Sequence, residues 1–169
     1  MFQNIVGGTH GSAPYVVFGP PGTGKTRTLV AALLAVIRSN PESCVLVCAP
    51  SNAAADVIVE RAKVQLNTSQ MIRINAYSRT SEVPVEVKPY CSDSSNVPDV
   101  PTILRYRVVV TTCTTAARMS GFHGFPNDHF THIMIDEAGH ATEPECVASM
   151  RADCQCDMLM VCSFCWLGL

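Results

Sequence analysis

A chain of 169 residues supports one domain with a substantial core, and 47% hydrophobic against 15% charged residues excludes a disordered chain. A net charge of −2 excludes a surface-wide basic field, so any nucleic-acid contact has to be local. Nine cysteines, several in apolar runs such as CVLVC, read as reduced thiols of a cytosolic or nuclear protein, with the cytoplasm the expected compartment, and no apolar run is long enough to imply a membrane partner.

The first strong signal is YVVFG (15–19) followed by GPPGTGKT and the helical pattern TRTLVAALLAVIRSN (26–40), which ends at Asn40-Pro41. A helix start has backbone N–H groups without internal partners and a partial positive charge, and glycines let an anion approach them. The spacing Gly19-x-x-x-x-Gly24-Lys25-Thr26 between a strand and a helix is the phosphate-cradling P-loop pattern. Gly19, Pro20, Pro21, Gly22, Thr23 and Gly24 form the cradle; Lys25 reaches the β and γ phosphates, and the Thr26 hydroxyl binds Mg²⁺. The bland alternative is a glycine-rich turn joining a strand to a helix.

Further along, CVLVCAP (44–50) reads as a strand, NAAADVIVERAKVQL (52–66) as a helix and MIRINA (71–76) as a short strand. Residues 77–101 form an irregular insertion rich in Ser, Pro and Val. RYRVVVTTC (105–113) and FTHIMID (130–136) are two more strands, with a short helical piece after the first. Apolar strands alternating with helices imply an α/β fold, a parallel sheet with helices on both faces and the phosphate loop at its carboxyl edge.

FTHIMIDEAGH ends an apolar strand with two adjacent carboxylates. Asp136 at such a strand end holds Mg²⁺ beside Thr26, and Glu137, one residue on and facing the other way, serves as general base for water. Two solvated surface acids would be the reading without the P-loop upstream.

APSNAAAD (49–56), VVVTTCTTAARM (108–119) and DEAGHATEPE (136–145) occur in that order behind GPPGTGKT. Together they resemble the first RecA-like domain of a superfamily 1B RNA helicase, most closely the Armitage branch, which includes the Moloney-leukaemia-virus-10 helicases of RNA silencing. The resemblance implies a P-loop NTPase that uses ATP and Mg²⁺ and couples hydrolysis to movement on single-stranded RNA, with silencing-pathway ribonucleoprotein components as partners. Gly19 to Thr26 match its first motif, with Lys25 and Glu137 as catalytic groups; Asp136 and Glu137 match its second, the DEAG box. Ser51 and Asn52, and Thr111 and Thr112, match its RNA-side motifs, which hold the backbone without reading bases. Helix capping for Ser51-Asn52 and ordinary strand-end threonines for Thr111 and Thr112 are the alternatives. His140 is a candidate sensor between the ATP and RNA sites, against a purely structural histidine.

The resemblance spans about residues 4–148 and implies further parts that the chain is expected to lack. These are a glutamine motif that reads adenine, the strand bearing the third motif, and the second RecA-like domain with its arginines. The expected organisation is a truncated RecA-like domain over 1–148 and a divergent Cys-rich tail over 149–169, poorly ordered rather than zinc-binding. The expected function is that of an ATP-binding fragment of an RNA helicase, near-inactive alone. A P-loop ATPase without a nucleic-acid role and a non-catalytic nucleotide-binding fragment stay open.

Overall fold

The computed structural model describes residues 14–92, 97–119, 121–126, 128–142, 144–146 and 157–162. Among the described residues six strands form one sheet: β1 (Tyr15–Phe18), β2 (Val45–Ala49), β3 (Met71–Arg73), β4 (Val108–Thr112), β5 (His132–Ile135) and β6 (Asp157–Cys162). Their order is β1-β6-β5-β2-β4-β3, and every neighbouring pair is parallel. The central strands are continuous apolar runs because both of their faces are covered.

Side-chain alternation sends Val45, Val47, Ala49, Val108, Val110 and Met134 to one face. There α1 (Lys25–Ser39) buries Leu29, Leu33 and Val36, and α2 (Asn52–Ala62) buries Ala55, Ile58 and Val59. Leu46, Cys48, Val109, Ile133 and Ile135 point to the other face, where they meet Ile103 of α3 (Val100–Ile103) and Ala116 and Met119 of α4 (Cys113–Met119). Arg107 donates to the carbonyls of Ile37 and Asn40 at 3.0 and 2.7 Å, satisfying acceptors at the carboxyl end of α1.

Four sequence expectations need correction. The helix expected over 52–66 stops at Ala62, where the N–H groups of Gln65 and Leu66 both turn back to the Ala62 carbonyl. The strand expected over 71–76 pairs only to Arg73, and one further bond, from the Ile74 N–H to the Val110 carbonyl, precedes the chain's departure from the sheet. The span expected to be irregular holds a 3₁₀ turn (Lys88–Tyr90), and α3 begins at its end, each with proline in its first turn. Most consequential is β6, which falls in the tail expected to diverge from the fold. DMLMVC is a short apolar strand between β1 and β5, and cysteine richness masked its strand character. The Cys154, Cys156 and Cys165 positions of the zinc alternative lie outside the described residues.

No helix among the described residues is long and apolar enough to cross a membrane.

Candidate functional site

Two clefts lie at the carboxyl ends of the strands among the described residues. The first lies where β1 passes into α1. Gly22 and Gly24 take φ of 81° and 85°, left-handed values that a side chain would resist, and Gly24 caps the start of α1. Thr23 donates its hydroxyl to the Pro20 carbonyl at 2.8 Å, and Lys25 folds over the loop to donate from Nζ to the same carbonyl at 2.6 Å. These bonds close the loop into a ring around the helix start.

From across the sheet comes Asp136, directly after β5 and only 2% exposed. Its backbone N–H continues the ladder to the Cys48 carbonyl at 2.9 Å, fixing its position. Burial pushes its carboxyl pKa up from the ordinary 3.8, while hydrogen bonds from the Thr26 hydroxyl and the Glu137 N–H pull it back. The Thr26–Asp136 contact brings α1 and β5 together at one point.

Glu137 has φ 51°, the one non-glycine residue in the left-handed region among the described residues. Its N–H donates to Asp136 Oδ1 at 3.1 Å, and its carbonyl accepts from the His140 N–H at 2.8 Å. A strained backbone held by two bonds at a strand end is the kind of outlier that accompanies chemistry. His140 is exposed, with Nδ1 3.7 Å from Glu137 Oε2. Pro21, Gly22, Gly24, Lys25, Thr26, Asp136, Glu137 and His140 thus line one cleft of about 320 Å³.

A second cleft of similar size lies over β2 and β4 and is lined by Ser51, Asn52, Tyr77, Thr112, Thr114 and Arg118 among others. Ser51 is the N-cap of α2, its Oγ accepting from the Ala54 N–H at 3.1 Å, so capping belongs to Ser51 and not Asn52. Thr112 lines this groove and donates to Thr115 Oγ1 at 2.9 Å. Thr111 does not line it: it is fully buried and donates to the Ile74 carbonyl at 2.9 Å. Successive strand residues face opposite ways, so the two threonines cannot both serve one groove. His140 lines the first cleft and not the second.

The sequence profile of the AAA_11 family, described as an AAA domain, matches residues 4–97 and 100–161. The chain belongs to this family. The match runs to residue 161 and so takes in nearly all of β6. This AAA domain is 44% identical to human RNA helicase Mov10l1 over 149 residues, covering 86% of this chain and 12% of that protein. It is 36% identical to the Drosophila melanogaster protein named probable RNA helicase armi, covering 84% of this chain and 14% of that one. The resemblance to RNA helicases read from the motifs is borne out by these relatives, of whose length the chain spans only about an eighth. The crystal structure of the UvsW helicase from bacteriophage T4 superposes with a TM-score of 0.58 at 14% identity, covering 95% of this chain and 50% of that one. That likeness concerns the fold alone: a P-loop, RecA-like parallel sheet.

Sequence reasoning missed several residues of the AAA domain's clefts. Arg61, in the last turn of α2, lines the P-loop cleft, and its charge lowers the Asp136 pKa. In the sequence it looks like an ordinary basic residue at a helix carboxyl end. Tyr77, Thr114 and Arg118 line the other cleft, and Tyr77 falls where the sequence shows no periodicity. Helix α2 of the AAA domain therefore contributes to both clefts, Asn52 to one and Arg61 to the other.

Asn52 is itself held. Its Oδ1 accepts from Arg73 Nη2 at 2.9 Å and from the Ala76 N–H at 3.4 Å. Arg73 is fully buried and donates from Nε to Asp56 Oδ1 at 3.0 Å; Arg79 donates to both Asp56 oxygens at 3.0 and 2.7 Å. One buried carboxylate carries two guanidinium groups.

Proposed function

We propose that this domain binds ATP with Mg²⁺ and hydrolyses it, and that in the longer protein hydrolysis drives movement along single-stranded RNA. The observation that carries the reading is the meeting of Thr26 and Asp136 in the cleft that holds Lys25 and Glu137. A hydroxyl beside a carboxylate at the end of a buried strand is a donor set suited to a hard divalent cation. The loop N–H groups and the α1 dipole attract phosphate oxygens, and Lys25 is within reach to exchange the Pro20 carbonyl for a phosphate. Glu137 is turned into the cleft, where its carboxylate takes a proton from the attacking water. Bound Mg²⁺ would supply charge neutralisation between the β and γ phosphates. Arg61 adds a cation from within the same domain, and His140, beside Glu137, is suited to report the state of the γ-phosphate.

The second groove favours a nucleic-acid role over an ATPase without one. Ser51, Asn52, Thr112 and Arg118 offer hydroxyl, amide and guanidinium groups suited to backbone phosphates rather than base edges. Single-stranded RNA is the proposed ligand, silencing-pathway ribonucleoprotein components the proposed partners and the cytoplasm the proposed compartment. Cys44, Cys91 and Cys146 carry free thiols, which fits a reducing compartment.

Lys25→Ala is expected to weaken Mg²⁺-nucleotide binding by on the order of a hundredfold or more, with the melting curve of the apo protein unchanged. Equal affinity of wild type and variant in a nucleotide titration would remove the site. Glu137→Gln should keep binding and, in the longer protein, lose turnover by about 10²–10⁴.

The raised Asp136 pKa gives a pH test. Protonation competes with the metal, so Mg²⁺-dependent nucleotide affinity should be full above that pKa and fall as pH drops through it. The fall begins at a higher pH than an aspartate of the ordinary 3.8 would give. An affinity flat with pH down to the range of ordinary aspartates would contradict the assignment of Asp136 to the metal.

A further inference from the structure

We infer that Tyr77 is a base-stacking residue of the second groove, a role that rests on the RNA reading above. Tyr77 is 71% exposed. Of the large apolar side chains exposed among the described residues, it alone lines either cleft. An aromatic ring left in water gives up the burial that normally recompenses its size, and a flat π-face beside phosphate-binding groups suits an unstacked base. The groups beside it are of that kind: Ser51, Asn52, Thr112, Thr114 and Arg118, with no carboxylate in the lining. Glu145 accepts from the Thr114 hydroxyl at 3.3 Å but does not line the groove.

The ring is presented by a tethered loop. Arg79 donates from Nη1 to Asn75 Oδ1 at 2.9 Å, from Nε to the Ser81 carbonyl at 2.9 Å and from Nη2 to the Glu82 carbonyl at 2.8 Å. The same guanidinium is anchored on Asp56. On the other side of Tyr77, the Ala76 N–H is tied to Asn52. Pre-organisation of this sort reduces the ordering cost of binding. The same network fixes the Asn52 amide: a guanidinium can only donate, so the atom facing Arg73 is the oxygen, and the NH₂ end is left as a donor for the groove. Amide and ring then divide the ligand between them, phosphate to one and base to the other. Stacking of this kind tolerates any base, which suits a groove that offers no pattern for reading sequence.

The test uses the full chain, a short oligouridylate and an abasic ribose-phosphate strand of the same length, titrated at low salt. Tyr77→Ala is expected to weaken binding of the oligouridylate between about fivefold and a hundredfold and to leave the abasic strand unaffected. Tyr77→Phe should restore oligouridylate binding, and Arg118→Ala should weaken both strands alike. Nucleotide affinity should be unchanged in all three, which verifies the fold. If Tyr77→Ala leaves the oligouridylate unaffected, or weakens both strands equally, while Arg118→Ala weakens both, the stacking role is wrong and the RNA groove stands. If no variant weakens either strand, the groove does not bind RNA and both readings fall.

Discussion

Asp56→Ala is expected to destabilise the domain by about 3–5 kcal/mol, seen as a drop in the urea midpoint with little change in slope. Asp56 is 4% exposed, and the two arginines it holds are Arg73, fully buried, and Arg79, nearly so. Burial already lowers the Arg73 pKa, and the Asp56 charge and hydrogen bond are what offset that cost. Removing the carboxylate strands two cations in a region that cannot hydrate them. Exchanging the whole set for apolar residues is a different matter and can be neutral, so the loss measures the orphaned charges rather than the value of the bridge. The variant should also lose RNA affinity before nucleotide affinity, because Asn52 and the loop bearing Tyr77 both depend on the network while the P-loop does not. A destabilisation below about 1 kcal/mol would mean that the arginines find water or other acceptors.

Ending the chain after residue 156 is expected to abolish nucleotide binding and cooperative unfolding. Among the described strands β1 pairs with β6 alone, and β6 bridges it to β5. The P-loop follows β1 and Asp136 follows β5, so the register Tyr15↔Leu159 and His132↔Asp157 sets the spacing between phosphate cradle and carboxylate. Without β6 the two halves of the cleft have no common frame. Circular dichroism and a nucleotide titration check this; a shortened chain that melts cooperatively and binds Mg²⁺-nucleotide at full affinity would show that β6 is dispensable.

The same strand marks how far the sequence could be read. GPPGTGKT and the DE pair were legible because phosphate and metal chemistry leave few choices of residue at fixed spacing, and both segments reached one cleft. The alternation of apolar strands and helices was legible because two-sided burial demands it. DMLMVC was not, since its register against β1 and β5 is a property of the assembled sheet and not of six residues. Thr111 and Thr112 were read as a pair, and only the pleat separates the buried one from the one in the groove. Arg61, Arg73 and Asp56 are scattered along the chain, and nothing local announces that they meet the sites.

On the proposed assignment of RNA and nucleotide to the two clefts, α2 is the element that could couple them. Asn52 and Arg61 stand nine positions apart, about 13–14 Å along a helix axis. Its inner face is locked into the core through Ala55, Ile58 and Val59, so the helix moves as one body or not at all. On that assignment a phosphate held by Arg61 and a strand held by Asn52 would bear on the same helix. The coupling is reciprocal by necessity: whatever factor the nucleotide applies to RNA affinity, RNA must apply to nucleotide affinity. On the proposed function, communication between the two ligands would begin inside a single domain, along one helix of three turns.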